Sequence, residues 1–321
     1  MEKKSTLFQA FKNAQWLPAA PVKRLFVKHL HPEPSPAMIF HFVRPCSQIV
    51  LSVIIPTLDA KRDGYFERLL RQLESQTLQA FEVIVVRGDS RQGRAINVGA
   101  SLARGKYLLT LDDDTALPDQ QVFAKLLRVM EEHPEIGMAG GINVIPPDAS
   151  WFVRRTMKEI PRRSTPLVSE ITDSDLAEHP LLIMRKEYFE KVGGENELLP
   201  RGLDPYLRHE FRKAGYKVMV VPNAPYSHLP PSSLQSLLKQ FYRNGSHSSY
   251  VNRHFPQWAI ETPGKHGTFR SHHALPLRVF RFALRILSAL IALKPIWFLC
   301  LLSYAAGFAA DQMAFSLCPK K

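Results

Sequence analysis

The stretch LLTLDDDT, residues 108–115, decides the fold class, because a short apolar run ends abruptly in three carboxylates. An apolar run of this length between polar residues is typical of a buried strand. In open α/β sheets the carboxyl ends of the strands carry functional groups. Three acidic side chains there would repel one another, and a cation such as Mg²⁺, which prefers oxygen ligands, would relieve the repulsion. The run therefore predicts a metal site suited to holding a diphosphate; the alternative is a solvated acidic turn.

Strand and helix patterns alternate on both sides of this stretch. Strands are predicted at 49–55, 81–86, 106–111, 137–144 and 217–221, and helices at 65–74, 94–102, 120–132 and 234–242. Such alternation gives a parallel sheet with right-handed crossovers. We therefore predict an α/β fold with a mostly parallel, Rossmann-like central sheet flanked by helices. No G-x-G-x-x-G fingerprint follows the first strand and no Walker A motif occurs, so dinucleotide-binding and NTP-hydrolysing proteins are poorly supported.

The composition points to an anionic partner. The 321 residues carry a formal net charge of +13, which favours nucleic acid, an acidic membrane or a phosphorylated substrate. The basic residues are dispersed and no RNA-binding aromatic motif occurs, so we expect no nucleic-acid partner. The three cysteines, Cys46, Cys300 and Cys318, lie far apart and form no disulfide framework or metal-ligand spacing, which favours a reducing compartment.

Helical appendages are predicted at both ends of the main domain, which we place at 49–250. Residues 1–48 carry apolar residues at helical spacing among lysines and arginines, which predicts two short basic amphipathic helices, at 7–11 and 22–26. Their apolar faces either pack on the main domain or lie on an anionic membrane. A linker is predicted at 251–274.

The last segment, 275–321, is the most apolar part of the chain. Arg278, Arg281 and Arg285 form a basic stripe beside apolar residues, the pattern of a helix lying in a membrane interface. The uncharged run 296–310 is shorter than the roughly 20 residues that a span needs. The tail thus predicts an interfacial hairpin, a short span or an oligomer contact through the C-terminal helices; the alternative is a helical lid packed on the main domain. We expect location at the cytoplasmic face of a membrane.

Several short motifs follow one another in a fixed order between residues 50 and 245. They are SVIIPT (52–57), Asn97-x-Gly99, Ala103-x-Gly105, LDDD (111–114), VGG (192–194), PRGLD (200–204), KAGY (213–216) and Val221-Pro222. Each occurs widely, but their order and spacing together resemble the inverting nucleotide-sugar glycosyltransferases of family two, which have the GT-A fold.

The resemblance implies roles for particular residues. Asp112 and Asp114 match the DxD positions, which hold Mg²⁺ or Mn²⁺ on the donor diphosphate, and Asp204 matches the catalytic base. His228 stands where some relatives place a metal or diphosphate ligand; the alternative is a structural histidine. For Asp204 the alternative or additional role is a helix N-cap, with Pro205 at the first helical position.

The remaining candidates are nucleotide-sugar-binding residues. They come from the loop after the first strand, the end of the second strand, the helix that follows it, the acidic triplet and a Q-x-x-R element: Pro56, Thr57, Asp59, Asp89, Arg94, Asn97, Asp113 and Arg243. For Arg94 and Arg243 the alternative is a solvated position on a helix.

The chain departs from the family pattern at several positions. Arg87 and Gly88 replace the paired aspartates after the second strand, the first of which contacts the nucleobase in the family. The sequence therefore does not identify the nucleobase of the donor. Leu203, Glu210 and Asn244 replace a glutamate, an arginine and a tryptophan of the family. The base carboxylate and the metal pair are kept.

The resemblance implies an inverting enzyme that moves a single sugar from a nucleotide-sugar donor to a lipid-linked or cell-surface glycan acceptor. Inversion is a single in-line displacement, in which the carboxylate takes the proton of the acceptor hydroxyl and the metal meets the charge of the leaving diphosphate. Two alternatives stay open: a nucleotidyltransferase, although its glycine- and lysine-rich loop is missing after Pro56, and a noncatalytic membrane-associated relative.

Overall fold

A central sheet of ten strands organises the computed structural model, which describes residues 6–44, 48–164, 168–259 and 275–317. The strands are β1 (Leu17–Pro18), β2 (Met38–Val43), β3 (Leu51–Thr57), β4 (Phe81–Arg87), β5 (Tyr107–Thr110), β6 (Thr115–Ala116), β7 (Ile136–Asn143), β8 (Thr172–Asp173), β9 (Leu182–Arg185) and β10 (Lys217–His228). The helices are α1 (Leu7–Lys12), α2 (Tyr65–Glu74), α3 (Gln92–Leu102), α4 (Val122–Glu132), α5 (Trp151–Glu159), α6 (Lys186–Val192), α7 (Leu203–Lys213), α8 (Leu234–His254), α9 (Leu275–Ile291) and α10 (Pro295–Leu317), with 3₁₀ turns at Arg62–Gly64, His179–Leu181 and Pro256–Trp258.

The strand order is β1-β2-β4-β3-β5-β9-β7-β10-β6, and β8 pairs with β10. Strand β3 is parallel to both β4 and β5, and β7 is parallel to β10. Because β5 and β7 both run antiparallel to the inserted β9, the strands β3, β4, β5, β7 and β10 all point the same way. The predicted mostly parallel α/β sheet flanked by helices is therefore confirmed.

The core lies on both faces of this sheet. Val53, Val83 and Leu109 face a layer that includes α1, α2 and α4, whereas Ile54 and Leu108 face a layer that includes α3, α6 and α7. Successive residues of the central strands are thus buried alternately on the two faces. This is why these strands have continuous apolar sequences rather than an alternating pattern.

Two predicted elements are longer in the structure than in the sequence analysis. Strand β10 continues past Pro222 through an irregularity between Val220 and Pro225, where Asn223 adopts a left-handed φ of 57°. It ends at His228, where it pairs with β6. Helix α8 continues to His254 instead of ending at residue 242.

The N-terminal segment forms one helix, not two. Helix α1 begins after Thr6, which accepts a hydrogen bond from the Gln9 N–H, and its Leu7 and Phe8 are buried against the core. The second predicted helix, near residues 22–26, is wrong because tertiary contacts hold this segment in another conformation. Arg24 pairs with the buried carboxylate of Glu197 at 2.7 Å, and the Lys28 N–H donates to the Gly193 carbonyl. Strand β2 then joins the sheet antiparallel to β4.

The C-terminal helices are anchored to the α/β domain. Gly245 of α8 lies against the backbone of Tyr304 and Phe308 of α10, so the two helices approach more closely than any side chain would permit. The carboxylate of Glu159 accepts hydrogen bonds from the N–H groups of Ile296 and Trp297 at 2.8 and 3.2 Å. It thereby satisfies two of the unpaired donors at the start of α10. The predicted linker lies outside the described residues from residue 260 onward, as do Cys46 and Cys318.

Candidate functional site

The acidic triplet follows β5 and leads directly into β6, which pairs antiparallel with the end of β10. His228 lies opposite Thr115 in this pairing. Its Nε2 is 3.1 Å from Asp114 Oδ1 and 3.8 Å from Asp112 Oδ2. One ligand atom from each of the three residues lies within 4.8 Å of the others. The sequence-predicted group Asp112, Asp114 and His228 is therefore brought together at the carboxyl end of β5.

This group has the chemistry of a divalent cation site. Two carboxylate oxygens and an imidazole nitrogen suit Mn²⁺, and carboxylate oxygens also suit Mg²⁺. The main-chain N–H of His228 donates to Asn143 Oδ1 at 3.1 Å, and Gln92 Nε2 donates to Asp112 Oδ1 at 2.8 Å. These contacts orient the candidate ligands without occupying all of their donor atoms.

The ionisation of the group reflects crowding of negative charge. Burial raises the pKa of Asp112 to about 7, and the charge of Asp114 adds to this rise while His228 opposes it. Burial would also raise the pKa of Asp114, but His228 and Arg62 hold it well below its usual range. Burial lowers the pKa of His228, but the neighbouring carboxylates outweigh this, so that the pKa is raised. A bound cation would relieve the same repulsion.

The loop after β3 supports the triplet from one side. Thr57 Oγ1 donates to Asp113 Oδ2 at 2.6 Å, and Arg62 Nη2 donates to Asp114 Oδ2 at 2.6 Å. Asp59 accepts the N–H groups of Lys61 and Arg62 in the turn that carries Arg62. Asp113 is therefore bound to the loop and is not part of the candidate cation group, and Thr57 and Asp59 fix its surroundings. No sequence motif marks Arg62.

Asp204 lies in the first turn of α7. Its Oδ1 accepts the main-chain N–H of His179 at 2.7 Å. The N-cap of α7 is Gly202, with a left-handed φ of 86°, so the prediction that Asp204 caps this helix is wrong. Its charge contributes to the raised pKa of Asp112, so the two carboxylates lie close enough to influence each other.

A buried histidine positions Asp204. His179 Nε2 lies 2.8 Å from Glu195 Oε1, and its Nδ1 lies 3.0 Å from Thr110 Oγ1. Burial lowers the pKa of His179, but the charges of Asp204 and Glu195 outweigh it and raise this pKa to about 9. The pKa of Asp204, which burial would raise, is lowered mainly by the charges of His179 and Arg208. Asp204 is thus ionised at neutral pH. Sequence reasoning missed His179 and Glu195, which belong to no motif.

Three further candidates form an internal network. Arg94 donates from Nε and Nη2 to the two carboxylate oxygens of Asp89, at 2.7 and 3.0 Å, and Ser35 Oγ donates to the same carboxylate. Asn97 donates to the Glu195 carbonyl at 2.9 Å and to Glu197 Oε1 at 3.1 Å. Arg94 is buried, so the alternative of a solvated arginine is wrong. Nucleotide binding by these three residues stays a prediction.

One basic side chain, Arg163, interacts with both α8 and the candidate cation group. Arg163 Nη2 donates to Gln240 Oε1 at 2.8 Å, and the charge of Arg163 acts on His228. Arg243 is exposed on α8, and Pro56 lies in β3 next to Thr57. Arg163 lies in the stretch after residue 146, which carries no recognisable pattern.

Comparisons with known proteins match the chain to glycosyltransferases. Residues 87–193 match the family model for glycosyl transferase family 2. The chain is 28% identical to an uncharacterized glycosyltransferase of Haemophilus influenzae, over 49% of this chain and 60% of that protein. The chain thus spans less than two thirds of the length of this relative.

A solved structure shares the fold. The mannosyltransferase PcManGT from Pyrobaculum calidifontis, in complex with GDP-Man and Mn²⁺, is similar with a TM-score of 0.51 and 16% identity, over 84% of this chain and 89% of that one. TarS of S. aureus in complex with UDP gives a TM-score of 0.42 at 13% identity, over 83% of this chain and 92% of that one. The predicted resemblance to family 2 glycosyltransferases with the GT-A fold is therefore confirmed.

Proposed function

We propose that the chain is a glycosyltransferase that moves one sugar from a nucleotide-sugar donor to an acceptor hydroxyl, with inversion at the anomeric carbon. The observation that supports this most is the meeting of Asp112, Asp114 and His228 at the end of β5, with Asp204 close enough to influence the pKa of Asp112. A nucleophilic carboxylate is not needed for inversion, because the acceptor itself attacks.

Asp112, Asp114 and His228 would hold Mg²⁺ or Mn²⁺, and their donor atoms fit either ion. When bound, the ion would supply Lewis-acid stabilisation for the negative charge of the leaving diphosphate. The solved mannosyltransferase with GDP-Man and Mn²⁺ has the same fold, which supports the choice of a nucleotide sugar and a divalent ion as the substances to test.

Asp204 would act as the general base. It takes the proton of the acceptor hydroxyl as the new glycosidic bond forms and the bond to the diphosphate breaks. A general base contributes on the order of 10²–10⁴-fold to such a rate. Its hydrogen bond from the His179 N–H fixes its position, and its lowered pKa keeps it in the ionised form that a general base requires.

This proposal does not assign the nucleobase of the nucleotide-sugar donor. Arg87 is stacked over Trp16, with its Cζ 3.9 Å from the ring centroid, and Asp89 is bound by Arg94 and Ser35. Neither residue presents the pair of free carboxylates that the family uses after the second strand. A thermal-shift screen of nucleoside diphosphates with Mn²⁺ would identify the base, since a ligand of the native state raises the melting temperature.

We further propose that the chain acts at the cytoplasmic face of a membrane, on a lipid-linked or cell-surface glycan precursor. Among the described residues one helix, 295–316, is long and apolar enough to cross a membrane, and little of it is buried. Helix α9 exposes Val279, Phe280 and Ile291 to solvent, by 60, 60 and 72%, beside the exposed Arg285. This combination suits an interfacial helix on anionic lipid.

Asp204→Asn tests the general base. The substitution keeps the size of the side chain but removes its ability to take a proton. We expect release of nucleoside diphosphate from the donor identified by the screen to fall by about 10²–10⁴-fold. Binding of the nucleoside diphosphate with Mn²⁺ should change little.

The matched control is Asp148→Asn, at an exposed aspartate outside the site. It should leave both quantities unchanged. Wild-type turnover in Asp204→Asn would contradict the assignment, and a wild-type chain without turnover on any nucleotide sugar would favour a noncatalytic relative.

Mn²⁺ affinity should depend on pH in a defined direction. Binding requires Asp112 to be ionised and His228 to be neutral, and both have raised pKa values, about 7 for Asp112. Protons therefore compete with the ion below pH 7. We expect calorimetric affinity for Mn²⁺ to be at least about tenfold weaker at pH 6 than at pH 8. Asp114→Asn should abolish binding at both pH values, whereas an affinity that does not fall at pH 6 would contradict the proposed ligands.

Vesicle flotation tests the membrane proposal. The full chain should float with vesicles of phosphatidylcholine and phosphatidylglycerol, and less with phosphatidylcholine alone. The double substitution Phe280→Glu and Ile291→Glu should reduce flotation, because it places charges on the exposed apolar face of α9. The control substitution Leu58→Glu changes an exposed leucine of the main domain and should have no comparable effect. A wild-type chain that stays in the soluble fraction with anionic vesicles would overturn the proposal.

A further inference from the structure

Arg62 contacts the acidic triplet directly. Its Nη2 and Nε both donate to Asp114 Oδ2, at 2.6 and 3.1 Å, and its Nε lies 3.5 Å from Asp113 Oδ1. The other oxygen of Asp114, Oδ1, lies 3.1 Å from His228 Nε2. The carboxylate of Asp114 therefore stands between the guanidinium of Arg62 and the imidazole of His228.

The loop that carries Arg62 has an uncommon backbone conformation. Ala60 and Arg62 have left-handed φ angles of 58° and 45°, which few residues other than glycine adopt. Thr57 Oγ1 accepts the Ala60 N–H at 2.9 Å. Asp59 Oδ1 accepts the N–H groups of Lys61 and Arg62, at 2.9 and 3.2 Å. These hydrogen bonds hold a backbone conformation that is costly by itself, and they keep the guanidinium of Arg62 beside Asp114.

Arg62 keeps hydrogen-bond donors that the protein does not use. A guanidinium presents five N–H groups in a rigid fork, and Asp114 accepts only from Nε and Nη2. Among the residues that the structure describes, Nη1 has no hydrogen-bond partner. The side chain of Arg62 is 49% exposed, whereas that of Asp114 is 9% exposed. The open edge of the guanidinium can therefore bind a further acceptor while its other edge stays on Asp114.

Arg62 also balances the charge of the triplet. With a neutral imidazole at His228, a divalent ion at the candidate cation group would balance two of the three carboxylates. Arg62, which contacts Asp113 and Asp114, would balance the third. Without Arg62 the remaining negative charge would repel a diphosphate and oppose the attraction of the ion. Arg62 thus makes the site suitable for an anion as well as for a cation.

We propose that Arg62 binds the diphosphate of the nucleotide-sugar donor, as a second positive group beside the divalent ion. The inference rests on the proposed transferase function. Guanidinium groups suit this role because their planar fork matches pairs of phosphate oxygens through short, charge-assisted hydrogen bonds.

The same contact would assist the reaction. As the bond between the anomeric carbon and the diphosphate breaks, its electron pair stays on the diphosphate oxygen, while the acceptor oxygen bonds to the anomeric carbon and gives its proton to Asp204. A positively charged group that is already in place stabilises the negative charge that develops on the leaving group. Arg62 would supply this stabilisation without moving away from Asp114.

The alternative is an arginine that only orients Asp114. The two roles predict different effects on ion binding. Loss of an arginine that only orients a cation ligand should weaken Mn²⁺ binding. Loss of an arginine that serves the diphosphate removes a positive charge next to the ion, so Mn²⁺ alone should bind as tightly as before or more tightly.

The test is calorimetric titration of the full chain, first with Mn²⁺ alone. The second titration, at saturating Mn²⁺, uses the nucleoside diphosphate that the thermal-shift screen identifies. Arg62→Gln should bind Mn²⁺ at least as tightly as the wild type does. Its affinity for the nucleoside diphosphate should fall by about tenfold or more, because charge-assisted hydrogen bonds are lost.

Two further variants separate a contact with the diphosphate from damage to the fold. Arg62→Lys keeps the charge but loses the planar fork, and should recover part of the lost affinity for the nucleoside diphosphate. Arg68→Gln, at an exposed arginine of α2, is the matched control and should behave as the wild type does in both titrations. Circular dichroism checks that each variant is folded.

The outcomes separate this role of Arg62 from the function on which it rests. Equal affinity of the wild type and folded Arg62→Gln for the nucleoside diphosphate at saturating Mn²⁺ would overturn the inference. Weaker binding of Mn²⁺ alone to folded Arg62→Gln would also overturn it, because Arg62 would then only support the cation ligands. Failure of the transferase proposal would appear separately, as a wild-type chain that binds no nucleoside diphosphate with Mn²⁺.

Discussion

The antiparallel pairing of β6 with the end of β10 is the contact on which the candidate site depends. It places His228 opposite Thr115 and its imidazole 3.1 Å from Asp114. Without it, the acidic triplet would be a turn with three repelling charges. Burial and mutual repulsion raise the pKa of Asp112 to about 7, so the group is poised to exchange protons for a cation. Arg62 holds the outer oxygen of Asp114 and leaves the inner one facing His228.

The environment of Asp204 depends on a second, wholly buried interaction. His179 and Glu195 form a buried ion pair. Such a pair seldom stabilises a fold more than well-packed apolar side chains in the same place would. Their position next to Asp204 gives the pair another role, because the positive charge of His179 keeps Asp204 ionised. Asn97 is hydrogen-bonded to the segment 195–197, so helix α3 supports the base through this pair.

The sequence predicted the five parallel strands, because a strand buried on both faces has a continuous apolar run, but it did not predict β9, which lies between β5 and β7. It could not predict the full length of β10, since Pro222 and Asn223 have the local character of a stop, whereas pairing with β7 and β6 continues the strand. The prediction of a second N-terminal helix was wrong for the same reason, because Arg24 and Lys28 are held by contacts with residues distant in sequence. The resemblance to family 2 pointed to Asp112, Asp114 and Asp204, whose roles stay predictions. Arg62, Arg163 and His179 owe their places to tertiary packing and carry no local signal.

The most direct measurement is anomalous diffraction at the manganese edge from crystals grown with Mn²⁺ and the nucleoside diphosphate selected by thermal shift. The account predicts one strong peak within about 2.0–2.6 Å of carboxylate oxygens of Asp112 and Asp114 and of Nε2 of His228, distances typical of hard cations. A peak bound to other residues, or nucleotide bound with no peak between these three side chains, would contradict it.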